Sequence, residues 1–196
     1  MLHTSLRPYP LPPQMVSPVA RPVSAAARAV RARSVVKSFE AGIPGCSARV
    51  RALNHTDLDV RPGEVLGVAG TAGAGKSTLL LTLAGMLRPD SGSLTWYSDA
   101  GHPVHDLSSV EYLPPWRASF ALQSLKRALA TAPGLLLLDD TLASLDSISR
   151  REARVFIREL RATGVTMVIA SRDASGCASL CTRLVRIRAG SLEEMK

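Results

Sequence analysis

Apolar residues in this chain gather in short unbroken runs. Val65-Leu66-Gly67-Val68-Ala69 and Leu135-Leu136-Leu137-Leu138 have strand length and no polar face. Such runs predict strands buried on both sides of a parallel sheet. Val165–Ala170 and Leu184–Ile187 read the same way, the second as the last strand. Helical patterns lie between them at Leu79–Leu87, Phe120–Thr131 and Ser149–Arg161, the last with Val155, Phe156 and Leu160 at helical spacing. Ser34–Phe39, Val50–Val60 and Ser93–Tyr97 predict further strands. Arg61-Pro62-Gly63-Glu64 and Pro89-Asp90-Ser91-Gly92 are turn sequences, while Glu40–Ser47 and residues 98–115 read as loops. Strands alternating with helices predict an α/β fold.

Upstream of Ala32 this pattern is absent. Residues 1–24 hold six of the 13 prolines, and the stretch from Ser24 to Arg33 is rich in Ala and Arg. The expectation is a disordered or extended segment at 1–31 and a globular domain at 32–196. A length of 196 residues fits one domain. The acid-free, Arg- and Ser-containing leader has the composition of an organellar transit peptide. It is also the composition of a plain tail in a chain where Arg outnumbers Lys 20 to 4.

Charge changes the picture little. The net charge of +8 would suit a polyanionic partner. Residues 1–39 carry six basic and no acidic side chains, leaving 18 basic against 16 acidic residues in the rest. The folded part is therefore only mildly basic, and nucleic acid is not an expected partner. Trp96, Tyr97 and Trp116 are too few for a base-stacking platform. Cys46, Cys177 and Cys181 are too scattered for a disulfide framework and fit a reduced, intracellular setting. No apolar run is long enough for a membrane-spanning helix.

The candidate chemistry lies at strand ends. Gly70-Thr71-Ala72-Gly73-Ala74-Gly75-Lys76-Ser77-Thr78 follows one predicted strand and opens a helix. It matches the phosphate-binding pattern G-x-x-x-x-G-K-[ST]. Glycines let backbone N–H groups close around phosphate oxygens, and the helix start adds a partial positive charge. Lys76 would meet the terminal phosphates and Ser77 would offer its hydroxyl to Mg²⁺. Asp139 and Asp140 end the four-leucine strand. That is the edge where α/β sheets bind ligands. Asp139 can hold Mg²⁺, and Asp140 can orient an attacking water. His102 and His105, with Asp99 and Asp106, read as a solvated loop, and Cys177 and Cys181 as packing.

With these motifs the chain resembles the nucleotide-binding domain of ABC transporters over about residues 32–193. Residues 70–78 and Leu135–Asp140 are similar to its Walker A and Walker B motifs, and Thr141–Asp146 to its D-loop, ending in Asp146. The resemblance implies a P-loop NTPase fold: a RecA-like core with an antiparallel β portion, three-layered, with flanking helices. It also implies ATP and Mg²⁺ as ligands, and Phe39 as an aromatic stacking on adenine. Implied partners are a second nucleotide-binding domain, of this chain or another, and a separate membrane permease. The implied location is cytoplasmic, peripheral at the inner face of the membrane.

The chain also departs from that pattern. Lys76 and Asp139 are only 63 positions apart, too few for the family's helical subdomain with its Leu-Ser-Gly-Gly-Gln signature. The signature's slot holds Pro115-Trp116-Arg117-Ala118-Ser119, and Gln123 is misplaced for the Q-loop glutamine. Arg172 occupies the switch-histidine slot and Asp140 the catalytic-glutamate slot. Arg cannot act as neutral His does, yet it can stabilise phosphate charge. Three readings follow: an ATP-hydrolysing subunit driving a permease, a nucleotide-binding module without turnover, or a remnant of an ABC ATPase.

Overall fold

The computed structural model describes residues 27–43, 46–115, 118–143, 145–172 and 174–195. Its elements, in chain order, begin with the strands β1 (Ala29–Ile43), β2 (Cys46–Val60) and β3 (Val65–Ala69). Helix α1 (Lys76–Leu83) precedes β4 (Ser91–Tyr97), β5 (Pro103–Val104) and β6 (Val110–Leu113). Helix α2 (Ala118–Thr131), β7 (Leu135–Asp139) and α3 (Ser147–Ala162) follow. The strands β8 (Thr166–Ser171), β9 (Arg183–Arg188) and β10 (Ser191–Glu194) complete the described order.

Two sheets result. One is antiparallel, in the order β2-β1-β4-β5; the other runs β10-β9-β3-β8-β7-β6. In the second sheet β6, β7, β8, β3 and β9 are parallel, with β10 antiparallel on the edge. The central strands β3 and β7 are buried at every position, the arrangement their unbroken apolar runs predict. Parallel register brings the ends of the strands level: Ala69 pairs with Ser171 and Arg186, and Asp139 with Ala170.

Helix α1 is packed between the sheets. One core joins its Leu79, Leu80 and Leu83 to Val30, Val35 and Leu53 of the antiparallel sheet and to Leu66, Leu137 and Val168 of the parallel one. A second core covers the opposite face of the parallel sheet with α2 and α3, through Leu125, Ile157 and Leu160. The layers are thus sheet, helix, sheet and helix pair. Helix α1 stops early at a left-handed Gly85 (φ 73°). Met86 N–H donates to the Leu81 carbonyl and Gly85 N–H to that of Thr82, so the last turn closes on itself. Trp96 Nε1 then donates to the Leu83 carbonyl at 2.9 Å, fixing the helix end to β4.

Several expectations need correction. The folded chain starts before residue 32: β1 begins at Ala29, and Ala27 is fully buried. Small Ala and long Arg side chains serve there as an alternating strand. The proline-rich stretch 1–24, with any targeting role, lies outside the described residues, as does Trp116. Residues 40–43 and 46–47 are strand and not loop, because β1 and β2 stay paired out to Ile43 and Cys46. Residues 98–115 contain β5 and β6, and a last strand, β10, follows Leu184–Ile187. On α3 the buried stripe is Ala153, Ile157 and Leu160, whereas Val155 is 44% exposed. Arg-rich surroundings hid a stripe whose first member is only an alanine.

This packing orders two substitutions. Leu80→Ala removes a fully buried side chain between the sheets and is expected to cost about 2–5 kcal/mol. Val155→Ala on the exposed face of α3 should change stability by about 0.5 kcal/mol or less. Denaturant unfolding of both variants checks the contrast.

Candidate nucleotide site at the carboxyl edge of the parallel sheet

The loop between β3 and α1 is anchored at both ends. Gly70 N–H donates to the Ser171 carbonyl at 3.0 Å, tying the loop to the end of β8, and Ala74 N–H donates to Thr71 O at 3.2 Å. Gly75 caps α1 in the left-handed region (φ 106°), and a Cβ there would lie 2.3 Å from the Ala52 carbonyl of β2. No side chain fits, so the antiparallel sheet presses directly on the loop's backbone. Gly73 is also left-handed (φ 77°) but faces open space. Thr71, Ala72, Gly73 and Ser77 are exposed, Gly75 and Thr78 half-buried, and Ala74 and Lys76 buried.

Lys76 is 6% exposed. Its ammonium donates to the Gly70 carbonyl at 2.7 Å and to Thr71 O at 3.1 Å. It also lies 3.7 Å from Asp140 Oδ2. The side chain therefore lies back across its own loop, joining the loop to the end of β7. That placement meets the motif's demand for a cation beside the phosphate cradle.

Asp139 is buried, and its Oδ2 accepts a 2.9 Å hydrogen bond from the Tyr112 hydroxyl of β6. Burial raises the pKa of that phenol, as do the charge and the hydrogen bond of Asp139, so Tyr112 remains a neutral donor. The other oxygen of Asp139 and Oδ1 of Asp140 are buried with no hydrogen-bond partner among the described residues. Buried carboxylate oxygens left open suit a hydrated cation. Asp140 takes a left-handed backbone (φ 45°), which Asp tolerates better than most residues. The open oxygens of the acidic pair are hard donors of the kind that Mg²⁺ takes. Tyr112 was missed in the sequence because its short strand was read as loop. The available signal was compositional, since Val110 and Tyr112 are residue types that favour strands.

Other candidates are dispersed around this centre. Phe39 lies on the β1–β2 arm opposite Val50, 43% exposed, with the Lys37 ammonium 5.8 Å from its ring centroid. Arg172 is exposed just beyond β8 and lines a cavity with Gly70 and Thr71. No ion pair joins it to Asp139 or Asp140. Asp146 caps α3, its Oδ1 accepting from Ile148 N–H and Ser149 N–H at 2.9 Å, a structural role the sequence reading did not assign. Among the described residues no cluster of His, Cys, Asp and Glu could hold a metal ion by itself, and the His102 and His105 loop stays without one.

Two outcomes follow. Gly75→Ala must strain the backbone and collide with Ala52, so it should cost about 1–3 kcal/mol, more than Gly73→Ala. Thermal unfolding of the pair checks the order. Tyr112→Phe leaves a buried carboxylate oxygen without its donor and should cost about 1–3 kcal/mol at neutral pH. The phenol is held above its ordinary value of 10. The unfolded chain therefore ionises first as pH rises, and wild type loses stability above that pH. Tyr112→Phe should lack that alkaline loss; stability measured against pH decides it.

Comparison with known proteins agrees with this geometry. The family model described as ABC transporter matches residues 53–122. The sulfate/thiosulfate import ATP-binding protein CysA 2 of Chromobacterium violaceum is 30% identical, matching 73% of this chain and 54% of its own. The aliphatic sulfonates import ATP-binding protein SsuB of Cupriavidus necator is 29% identical, matching 87% of this chain and 70% of its own. The chain thus spans 54% and 70% of the length of these two relatives. The SsuB alignment runs over 219 residues, more than this chain contains, so the relative carries residues within the matched span that are missing here. A dimeric, post-hydrolysis ATP-binding cassette with ADP and phosphate shares the fold at a TM-score of 0.65, with 18% identity over 85% of this chain and 99% of its own. The sequence matches reach across most of the chain and make it similar to ABC transporter ATP-binding proteins, and the solved cassette shares its fold.

Proposed function

We propose that this chain binds MgATP as an ABC-type subunit. The observation that carries the proposal is the buried Lys76 ammonium, held by Gly70 O and Thr71 O opposite two open carboxylate oxygens. In this reading the backbone of residues 70–75 wraps the phosphates, with Ser77 and Thr78 at the start of α1. Lys76 meets the terminal phosphates, and Phe39 stacks on adenine from the arm that braces Gly75. Ser77 and Asp139 hold Mg²⁺, which supplies charge neutralisation at the phosphates when bound. Tyr112 fixes the orientation of Asp139.

Hydrolysis and transport form the outer part of the proposal. Asp140 is the group for orienting water, and Arg172 the one for stabilising phosphate charge. Only four residues separate the end of β6 from the start of α2, so the signature-bearing helical subdomain has no room there. A second copy of this chain would lack the signature as well, so only another cassette that carries it would complete the phosphate contact. A separate permease would couple it to transport at the cytoplasmic face of the membrane. No helix among the described residues is long and apolar enough to cross a membrane.

Calorimetric titration with MgATP, wild type against Lys76→Ala, tests the reading. Wild type is expected to bind in the micromolar range, about −8 kcal/mol, with affinity falling at least about tenfold in the variant. A folded wild type that does not bind MgATP would refute it. Turnover by the chain alone should be slow, and a rate typical of a complete cassette would remove the need for a partner.

A further inference from the structure

Six described arginines, Arg28, Arg31, Arg33, Arg49, Arg127 and Arg183, are paired with carboxylates. Arg33 is bonded to Asp59 at 2.8 Å, and Arg183 to Glu64 at 2.7 Å and Glu194 at 2.8 Å. Arg33, Asp59, Arg183 and Glu194 line one cavity, where guanidinium and carboxylate groups stand together. A second cavity, of about 410 Å³, breaks the pattern. It lies at the carboxyl edge of the parallel sheet, where β3 gives way to the phosphate loop. Arg172, Arg186 and Arg188 line it, and no carboxylate does. None of these arginines has an ion-pair partner among the described residues. Ala69 and Ile187 close its base, and Gly70 and Thr71 form the wall shared with the loop.

Topology explains the convergence. Arg186 pairs in register with Ala69, at the end of β3. Arg188 is two residues further along β9, on the same face. Arg172 arrives from the end of β8, immediately after the residue whose carbonyl holds Gly70 N–H. Two strands thus deliver like charges to one concavity. Guanidinium groups collected without counter-charge repel one another, and a bound anion relieves that repulsion. Their planar forks favour tetrahedral oxyanions, which accept paired N–H donors.

We infer that this cavity is a second anion site, separate from the Lys76 cradle, that takes a phosphate-type oxyanion. The anion is either free or carried on a small molecule. Gly70, Thr71 and Arg172 are shared with the MgATP reading, whereas Arg186 and Arg188 have no part in it, so variants of those two separate the inference from that reading.

Titration calorimetry at constant ionic strength in chloride tests it, with inorganic phosphate and glycerol phosphate as probes. The proteins are wild type, Lys76→Ala, Arg186→Gln with Arg188→Gln, and Arg188→Gln alone. Saturable phosphate binding should persist in Lys76→Ala and weaken by about tenfold or more in the double variant. The double variant should retain the MgATP affinity of wild type. Circular dichroism melting reports its folding, and Arg188→Gln supplies the same reading with a smaller loss if the double variant unfolds. Tighter binding of glycerol phosphate assigns a carried anion, and tighter binding of inorganic phosphate a free one. The inference fails if wild type shows no saturable binding, or if Lys76→Ala abolishes it. It also fails if the arginine variants leave it unchanged.

Discussion

The buried ammonium of Lys76 organises this molecule's functional edge. A cation 6% exposed is costly unless its donors are met. Here two carbonyls of its own loop accept from it, and a carboxylate lies 3.7 Å away. The loop must therefore curve so that Gly70 O and Thr71 O turn inward. The curvature brings β3, the loop and the end of β7 to one point. Against this one cation stand the carboxylates of Asp139 and Asp140, each with a buried oxygen left open. Around these two carboxylates themselves the balance is negative, and positive charge added beside them is favourable. An Mg²⁺ accompanying a nucleotide meets that demand.

The loop's shape also depends on the other sheet. Gly75 has no space for a Cβ because Ala52 of β2 lies against it. Gly190, beyond β9, meets the same strand, its carbonyl accepting from Asn54 N–H at 3.0 Å and from Thr56 Oγ1 at 2.6 Å. The antiparallel sheet is thus part of the site's architecture. It covers α1, braces the loop and carries Phe39 outward on the same arm. Binding and folding are coupled here through contacts far apart in sequence.

Local chemistry was legible in the sequence, and long-range geometry was not. The phosphate loop and the leucine strand ending in Asp139 could be read because glycine spacing and unbroken apolar runs are local signals. The order of alternating elements gave the α/β class for the same reason. Tyr112 escaped because a four-residue strand has too few positions to show a period, and Pro114 and Pro115 beside it suggested loop. The arm formed by β1 and β2 escaped because two glycines and a proline imply a break, whereas cross-strand pairing carries the strands out to Ile43 and Cys46. The charge count placed the basic excess in the leader, which was correct as arithmetic. It could not show that Arg172, Arg186 and Arg188 meet in one cavity, since β8 and β9 join that edge only through the sheet order.

The shortened link between β6 and α2 separates two properties that a complete cassette combines. The proposed nucleotide binding draws on residues 70–78 and Asp139, all set by the parallel sheet and its register. Those strands pair fully without the helical subdomain, so its absence leaves the cradle intact. Turnover depends on positioning at the terminal phosphate, where about 1 Å of misplacement costs roughly a hundredfold in rate. Asp140 is one methylene shorter than the glutamate of the family pattern, and its left-handed backbone fixes where the carboxylate can reach. Its Oδ2 is also drawn toward Lys76, and that contact competes with a water-orienting role. The same ion pair that settles the buried lysine thus restrains the group best placed for chemistry. In the proposed reading, one interaction both holds the lysine at the phosphate loop and slows turnover.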